Sequence, residues 1–117
     1  MTPAPIKPLV TPTALEALDI RVGTIVLVED LPKASRLVRL TVDFGDHRRR
    51  VIAGLKTERQ DPREIQGRQA LFVVNLEPRA MMGELSEGML FDIGSADGIS
   101  PALAVPERMV PNGARAS

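Results

Sequence analysis

Residues 75–90 read NLEPRAMMGELSEGML and separate two strongly apolar segments of the chain. The longest apolar run, residues 70–74, precedes them, and the apolar pattern resumes at Met89. A buried strand, a polar connection and a second buried strand fit this order. The connection contains two consecutive methionines, which soluble loops rarely expose unless they pack back or contact a partner. The pattern leaves both possibilities open for Met81 and Met82.

The segments before and after this connection predict five short strands. In residues 20–29, β-branched side chains recur at every second position from Ile20 to Val28, which favours a pleated strand. Gly23 within this segment predicts a sharp bend of the kind found where a sheet curls into a barrel. The predicted strands are residues 20–29, 37–44, 49–52, 69–74 and 89–93.

Two short helical segments accompany the strands. Thr13 and Glu16 have the spacing of a capping box, which predicts a helix that ends near Leu18. Residues 62–65 could form one helical turn with Asp61 as the N-cap. Turn residues at 97–98 and 111–113 indicate that the tail from Ala102 onward is ordered. The pattern predicts an all-β fold, a five-stranded OB-fold barrel with short flanking helices, and an SH3-like barrel is the alternative.

Composition restricts the chemistry that this protein can perform. The 117 residues are 44% apolar and 26% charged, which is typical of one globular domain. Because there is no cysteine and His47 is the only histidine, we expect no metal site, no cofactor and no catalytic triad. Residues 1–12 contain four prolines and no apolar signal sequence, so we predict a flexible arm followed by a domain of residues 13–117. These features fit a non-catalytic, cytoplasmic protein.

The charge of the chain is neutral in total but uneven along the sequence. Residues 33–79 contain eleven lysines and arginines against six acidic residues, so the rest of the chain has an equal excess of acidic residues. A basic middle segment is compatible with a phosphate-binding face, although a solvated surface with scattered charges is the commoner outcome. The only aromatic side chains besides His47 are Phe44, Phe72 and Phe91, all in predicted strands. A nucleic acid would therefore be bound through backbone charge and shape rather than by base stacking.

Five stretches of the chain, taken in order, resemble one known family. They are DIRVGTI at residues 19–25, LPKASRL at 31–37, VIAGL at 51–55, the NL…SEGML pattern of 75–90, and PERMVPNG at 106–113. Together they resemble the tRNA-binding OB domain, which occurs at the C-terminus of some methionyl-tRNA synthetases, in synthetase cofactors and as free-standing proteins. Free-standing members include structure-specific tRNA-binding proteins and the CsaA type, a protein-export chaperone. Residues 78–79 and 86–87 are more similar to CsaA, whereas residues 88–90 and the tail are more similar to the tRNA binders.

This chain departs from the family at three positions that concern tRNA affinity rather than the fold. Ala80 and Met82 stand where tRNA binders often have basic residues, and Leu31 replaces a histidine. The resemblance also implies a homodimer built partly from residues 1–18 and 102–117. In the tail, Leu103, Val105, Met109 and Val110 are apolar enough to be buried in such an interface. The alternative is that these segments cover the open end of their own barrel.

The predicted binding surface combines an OB-fold rule with the family resemblance. OB barrels bind on the face of their second and third strands, between the loops after strand one and strand four. Arg36 matches the basic loop residue of the family, and Arg39 and Arg49 are placed on this face by alternation. Asn75 and Ser86 belong to the family signature and could bind RNA or satisfy backbone groups of their own loop. The predicted RNA-binding residues are Lys33, Ser35, Arg36, Arg39, Arg49, Asn75, Arg79, Met81, Ser86 and Met89.

Three functions are compatible with these residues. The arginine-rich middle segment favours a dimeric protein that binds tRNA or another structured RNA through phosphate contacts. The methionines at 81, 82 and 89 favour a chaperone that binds unfolded or pre-export polypeptide, because methionine adapts to varied apolar partners. A third possibility is an accessory subunit that docks on a synthetase.

Overall fold

Strands dominate the regular structure of residues 2–117, the part of the chain that the computed structural model describes. One α-helix, α1 (Pro12–Glu16), precedes the strands. The strands are β1 Ile20–Asp30, β2 Val38–Asp43, β3 Arg48–Ala53, β4 Gln69–Val73, β5 Arg79–Met81, β6 Glu84–Ser86, β7 Met89–Leu90, β8 Asp92–Ile93, β9 Ala102–Leu103 and β10 Arg115–Ala116. Three 3₁₀ helices lie between them, at Leu55–Thr57, Pro62–Ile65 and Ser95–Asp97.

Five antiparallel strands form a nearly closed barrel in the order β3-β2-β1-β4-β7, and β10 pairs with the start of β1. The free edge of β3 approaches the segment between β6 and β7. There Glu87 N–H donates to Arg50 O at 2.9 Å, and Ile52 N–H donates to Ser86 Oγ at 3.0 Å. Closing a sheet in this way removes the exposed edges that would otherwise pair with other chains. The predicted OB-fold-like barrel is confirmed.

The barrel interior is apolar and densely filled. Ile25, Leu40, Val51 and Phe72 are fully buried, and Ile65 enters from the 3₁₀ helix Pro62–Ile65 to cover one end. As predicted, Asp61 caps this helix, since its carboxylate accepts Arg63 N–H at 3.1 Å. Burying one such Leu, Ile or Phe side chain contributes about 1.5–3 kcal/mol, so this core is the main source of stability.

Strand β1 departs from the predicted alternation. A register shift between Ile25 and Leu27 turns Ile25 into the core and leaves Leu27 42% exposed. The alternation that the sequence shows from Ile20 to Val28 is therefore interrupted at Val26. Gly23 lies before this bulge. A Cβ there would come within 2.5 Å of Val42 Cγ1, so the glycine permits close packing between β1 and β2.

Two local predictions at the N-terminus are also corrected. The helix begins at Pro12 with Thr11 as its N-cap, and no side chain caps it, so the capping box at residues 13–16 is wrong. Proline at the first helical position explains the earlier start. Of the predicted arm, residues 2–11 are exposed and lie outside any helix or strand, and Met1 lies outside the described residues.

The connection after β4 contains more structure than a polar loop. Strands β5 and β6 form a hairpin, with Met82 (φ 51°) and Gly83 (φ 81°) at its turn. The predicted strand 89–93 is broken at Phe91, because β7 pairs with β4 whereas β8 pairs with β9. The tail contains the strands β9 and β10, so the prediction that the chain is ordered from Ala102 onward is confirmed.

Candidate nucleic-acid interface

The outer face of β2 and β3 carries the positive charge that the sequence suggested. Direct pairing sets Thr41 opposite Arg50 and Asp43 opposite Arg48. Because Leu40 and Val51 fill the core from the same two strands, these four polar side chains belong to the opposite, outer face. Arg48 and Arg50 are exposed, and neither makes a side-chain ion pair within residues 2–117.

Arg48 and Arg50 were missed by sequence reasoning, and Arg49 was placed on the wrong face. Arg49 pairs with the buried Val42, so its side chain turns to the inner side at the end of the barrel. There its guanidinium donates to Val74 O at 2.5 Å and to Glu87 O at 3.2 Å. Alternation along the strand could have identified both residues. Since Val51 faces the core, positions 48 and 50 face the solvent.

Two loops flank this face and bring further predicted residues to it. Lys33, Ser35 and Arg36 are exposed on the loop between β1 and β2, and Arg79 is exposed on β5. None of these four side chains makes an ion pair or a hydrogen bond within residues 2–117. The loop and the β5–β6 hairpin both line an open groove of about 280 Å³. It is lined by Leu31, Pro32, Lys33, Ala34, Met82 and Glu84.

Arg39 lies at the centre of this surface, but its charge is compensated. It donates to Glu29 Oε1 at 3.2 Å and to Glu84 Oε1 at 2.6 Å. These hydrogen bonds, first the one to Glu29 and then the one to Glu84, raise the pKa of the Arg39 guanidinium above its usual range. The three side chains are 24–39% exposed, so the cluster is only partly screened by water.

Asn75 and Ser86 have bonding partners inside the protein. Asn75 Oδ1 accepts Asp19 N–H at 2.7 Å, and Asn75 Nδ2 donates to Ala17 O at 2.8 Å. Ser86 is 5% exposed, and its hydroxyl donates to Gly88 O at 3.0 Å while accepting Ile52 N–H. Each side chain thereby holds two segments together.

The methionines of the connection point to different surroundings. Met81 is half-buried, whereas Met82 is 70% exposed at the turn of the hairpin and Met89 is 47% exposed on β7. The half-buried Met81 fits the alternative of packing back, whereas Met82 and Met89 leave much of their apolar surface exposed.

Other kinds of site have little support in residues 2–117. No group of three or more histidine, cysteine, aspartate or glutamate side chains in this range could hold a metal ion. No helix of the described residues is long and apolar enough to cross a membrane. Of the three phenylalanines, Phe44 and Phe72 are buried as predicted, and Phe91 is half-buried. Within this range, then, no phenylalanine is fully exposed for base stacking.

Fold and surface together define a small OB-fold-like barrel with one cationic face. Residues 20–115 match the family described as "Putative tRNA binding domain", and the chain belongs to this family. It is 37% identical over 91 residues to a methionine--tRNA ligase of Methanocaldococcus jannaschii, covering 78% of this chain and 14% of the ligase. It is 43% identical over 98 residues to the methionine--tRNA ligase of Thermococcus kodakarensis, covering 84% of this chain and 13% of that ligase. The chain thus spans about one seventh of the length of these curated relatives.

Solved structures of free-standing proteins match the chain over almost its whole length. A MetRS-related protein from Pyrococcus horikoshii superimposes with a TM-score of 0.86 at 31% identity, covering 95% of this chain and 100% of that one. The chaperone CsaA of Bacillus anthracis superimposes with a TM-score of 0.79 at 27% identity, covering 94% of this chain and 100% of the CsaA chain. The predicted family resemblance is confirmed.

Proposed function

We propose that this protein is a non-catalytic tRNA-binding module that holds structured RNA mainly through phosphate contacts. The observation that carries the proposal is a set of exposed cations on one surface without intramolecular carboxylate partners in residues 2–117. The set, called here the cationic face, consists of Lys33, Arg36, Arg48, Arg50 and Arg79. Free guanidinium groups bind phosphates through paired hydrogen bonds, whereas an ion-paired arginine must first give up its carboxylate. Such a role gives the protein a function in the cytoplasm, where tRNA is found.

Phosphate contacts suit this surface better than base stacking. Proteins that bind single strands by stacking need exposed aromatic rings, and the described residues offer only the half-buried Phe91 and the exposed His47, whose ring stacks on Phe44. A duplex region of tRNA instead presents phosphates and 2′-hydroxyls in a fixed geometry. The expected ligand is therefore a folded RNA.

A second function, polypeptide binding, is supported by a separate observation. The β5–β6 hairpin and β7 expose Met82, Leu85 and Met89, which are 70%, 55% and 47% exposed. CsaA chaperones are among the structural neighbours of this chain. An unfolded polypeptide could use these apolar side chains without contacting the arginines. The two functions can thus be distinguished by salt, because only phosphate binding depends strongly on it.

The proposal includes a homodimer and a separate N-terminal arm. Helix α1 buries none of its residues, and Leu15 is 64% exposed beside an open groove of about 650 Å³. The groove is also lined by Leu18, Ile20 and Ala116, and a second copy of the chain would cover this apolar surface. Of the predicted arm, residues 2–11 are proposed to be flexible, on a domain that begins with α1 at Pro12 and extends to residue 117.

The decisive experiment replaces two cations of the proposed interface together. Arg36→Ala with Arg79→Ala should weaken tRNA binding at low salt and reduce the slope of log affinity against log salt by about 1.5, since each phosphate contact adds about 0.7–0.9. Both side chains are exposed on connections, so the fold should persist. Arg68→Ala with Arg108→Ala removes the same charge beside a different groove and serves as the control.

Competition between bulk tRNA and an unfolded polypeptide completes this test. Purified wild-type protein should prefer tRNA, and raising the salt concentration should shift the preference towards polypeptide. Unchanged tRNA affinity and salt slope in the folded Arg36/Arg79 variant would show that this surface is not the RNA site. Polypeptide binding would then become the leading function.

A further inference from the structure

The β5–β6 hairpin carries a carboxylate that occupies the central arginine of the proposed interface. Strands β5 and β6 pair only with each other and form a sheet separate from the barrel. At the barrel side, Glu84 Oε1 accepts a hydrogen bond from Arg39 Nη1 at 2.6 Å. Glu29 on β1 binds the same guanidinium at 3.2 Å. Two negative charges thus surround one positive charge, and the cluster has a net charge of −1.

Stability alone does not account for this arrangement. Partly exposed ion pairs contribute little to stability, and Arg39 already has a partner in Glu29 on the neighbouring strand. The second carboxylate therefore adds negative charge at a small structural gain. It does so on the outer face that Arg39 shares with Arg50, and beside the groove that Glu84 shares with Lys33. A phosphate that approaches Arg39 meets repulsion from Glu29 and Glu84.

We propose that Glu84 is an internal competitor for phosphate, which withholds Arg39 from RNA and so sets the affinity of the interface. The inference rests on the proposed phosphate-binding function and adds an affinity-determining residue to it. In the free protein, Glu84 and Arg39 hold the hairpin against the barrel. A phosphate that binds Arg39 must displace Glu84 or remain at a distance from it. Removing the Glu84 charge lowers this barrier while leaving Glu29 in place.

The test is Glu84→Gln, which keeps the size of the side chain and an oxygen that can accept from Arg39. One additional phosphate contact should steepen the slope of log affinity against log salt by about 0.7–0.9. The affinity of the Glu84 variant relative to wild type should therefore rise about threefold when the salt concentration is lowered from 200 to 50 mM. Glu77→Gln is the matched control, because Glu77 is exposed on the same connection and makes no side-chain hydrogen bond within residues 2–117. It makes the same change in net charge without freeing an arginine.

A double-mutant cycle shows whether the gain acts through Arg39. Adding Arg39→Ala to Glu84→Gln should abolish the steeper slope, since the arginine that Glu84 occupied is gone. Equal slopes for the Glu84 and Glu77 variants, or a gain that persists without Arg39, would overturn the inference. Thermal unfolding of each variant confirms that the fold is kept.

Inorganic polyphosphate provides a probe that does not depend on tRNA recognition. It carries phosphates without bases or a folded shape, and the same variants are compared on it. If tRNA fails to bind the wild-type protein, the proposed function is wrong, but the polyphosphate comparison still decides the role of Glu84. A steeper slope for the Glu84 variant than for the Glu77 variant supports the inference. Equal slopes, or no binding by either variant, overturn it.

Discussion

Replacing Ser86 by alanine tests whether one hydroxyl closes this barrel. Ser86 is 5% exposed and lies between the free edge of β3 and the start of β7. Its oxygen accepts Ile52 N–H at 3.0 Å, and its hydrogen is donated to Gly88 O at 3.0 Å. Within residues 2–117, no other strand pairs with β3 on that side. Together with the bond from Glu87 N–H to Arg50 O, the hydroxyl therefore takes the place of a backbone ladder at the point where the barrel is incomplete.

The size of the effect follows from the two bonds that are lost. Ile52 is 6% exposed, so its N–H would be left buried without a partner, at a cost of about 1–3 kcal/mol. The second bond, to Gly88 O, contributes about 0.5–1.5 kcal/mol. The free energy of unfolding should fall by about 1.5–4.5 kcal/mol, a large part of the roughly 5–15 kcal/mol typical of a domain. The melting temperature should decrease by about 10 °C.

Urea unfolding measures this loss directly. The midpoint should fall while the dependence on urea stays constant, because the surface exposed on unfolding is almost the same. Ser35→Ala is the control, since Ser35 is exposed and its side chain makes no hydrogen bond within residues 2–117. If the two variants differ in stability by less than about 0.5 kcal/mol, the closure argument is wrong. Reduced tRNA affinity in the folded Ser86 variant would instead indicate that this residue contacts the ligand.

Two further predictions concern pH and assembly. Glu58 Oε2 and Asp92 Oδ1 are buried without a hydrogen-bond partner in residues 2–117, and burial, followed by the neighbouring Asp92 carboxyl group, raises the pKa of Glu58 from 4.5 to about 7. Because the folded state keeps a proton that the unfolded state releases, stability should fall as the pH rises from about 4.5 to about 7. Urea midpoints measured from about pH 4 to 8 should therefore change less with pH in the Glu58→Gln variant than in the wild type. Parallel wild-type and variant profiles would show that Glu58 is not the group responsible. For assembly, Leu15→Glu should shift sedimentation of a dimer towards the monomer, whereas Met82→Glu, at a hairpin side chain that is 70% exposed, should not; equal sedimentation of both variants would argue against the α1 groove as the interface.

Local patterns in the sequence were sufficient for most of the barrel. Alternation places Leu40 and Val42 in the core, and Asp61 caps the helical turn that ends at Ile65, as the sequence predicts. These features depend on neighbours within a few residues, so periodicity and capping rules capture them. The same rules failed where a bulge shifts β1 after Ile25, because a bulge is set by pairing with a strand more than ten residues away.

The composition of the binding face was decided by the tertiary structure. From the sequence, Arg39 and Arg49 look alike, and both were predicted to face the ligand. The fold pairs Arg39 with Glu29 and Glu84 and turns Arg49 towards Val74 O, while Arg50 reaches the outer face. The charge available to a ligand depends on carboxylates and carbonyls that lie 10 to 45 positions away in the chain. The sequence by itself determined the family, the barrel and the excess of basic residues in the middle segment. Which arginines remain free was decided only by the strand register and the position of the β5–β6 hairpin, because electrostatic pairing depends on distance in space.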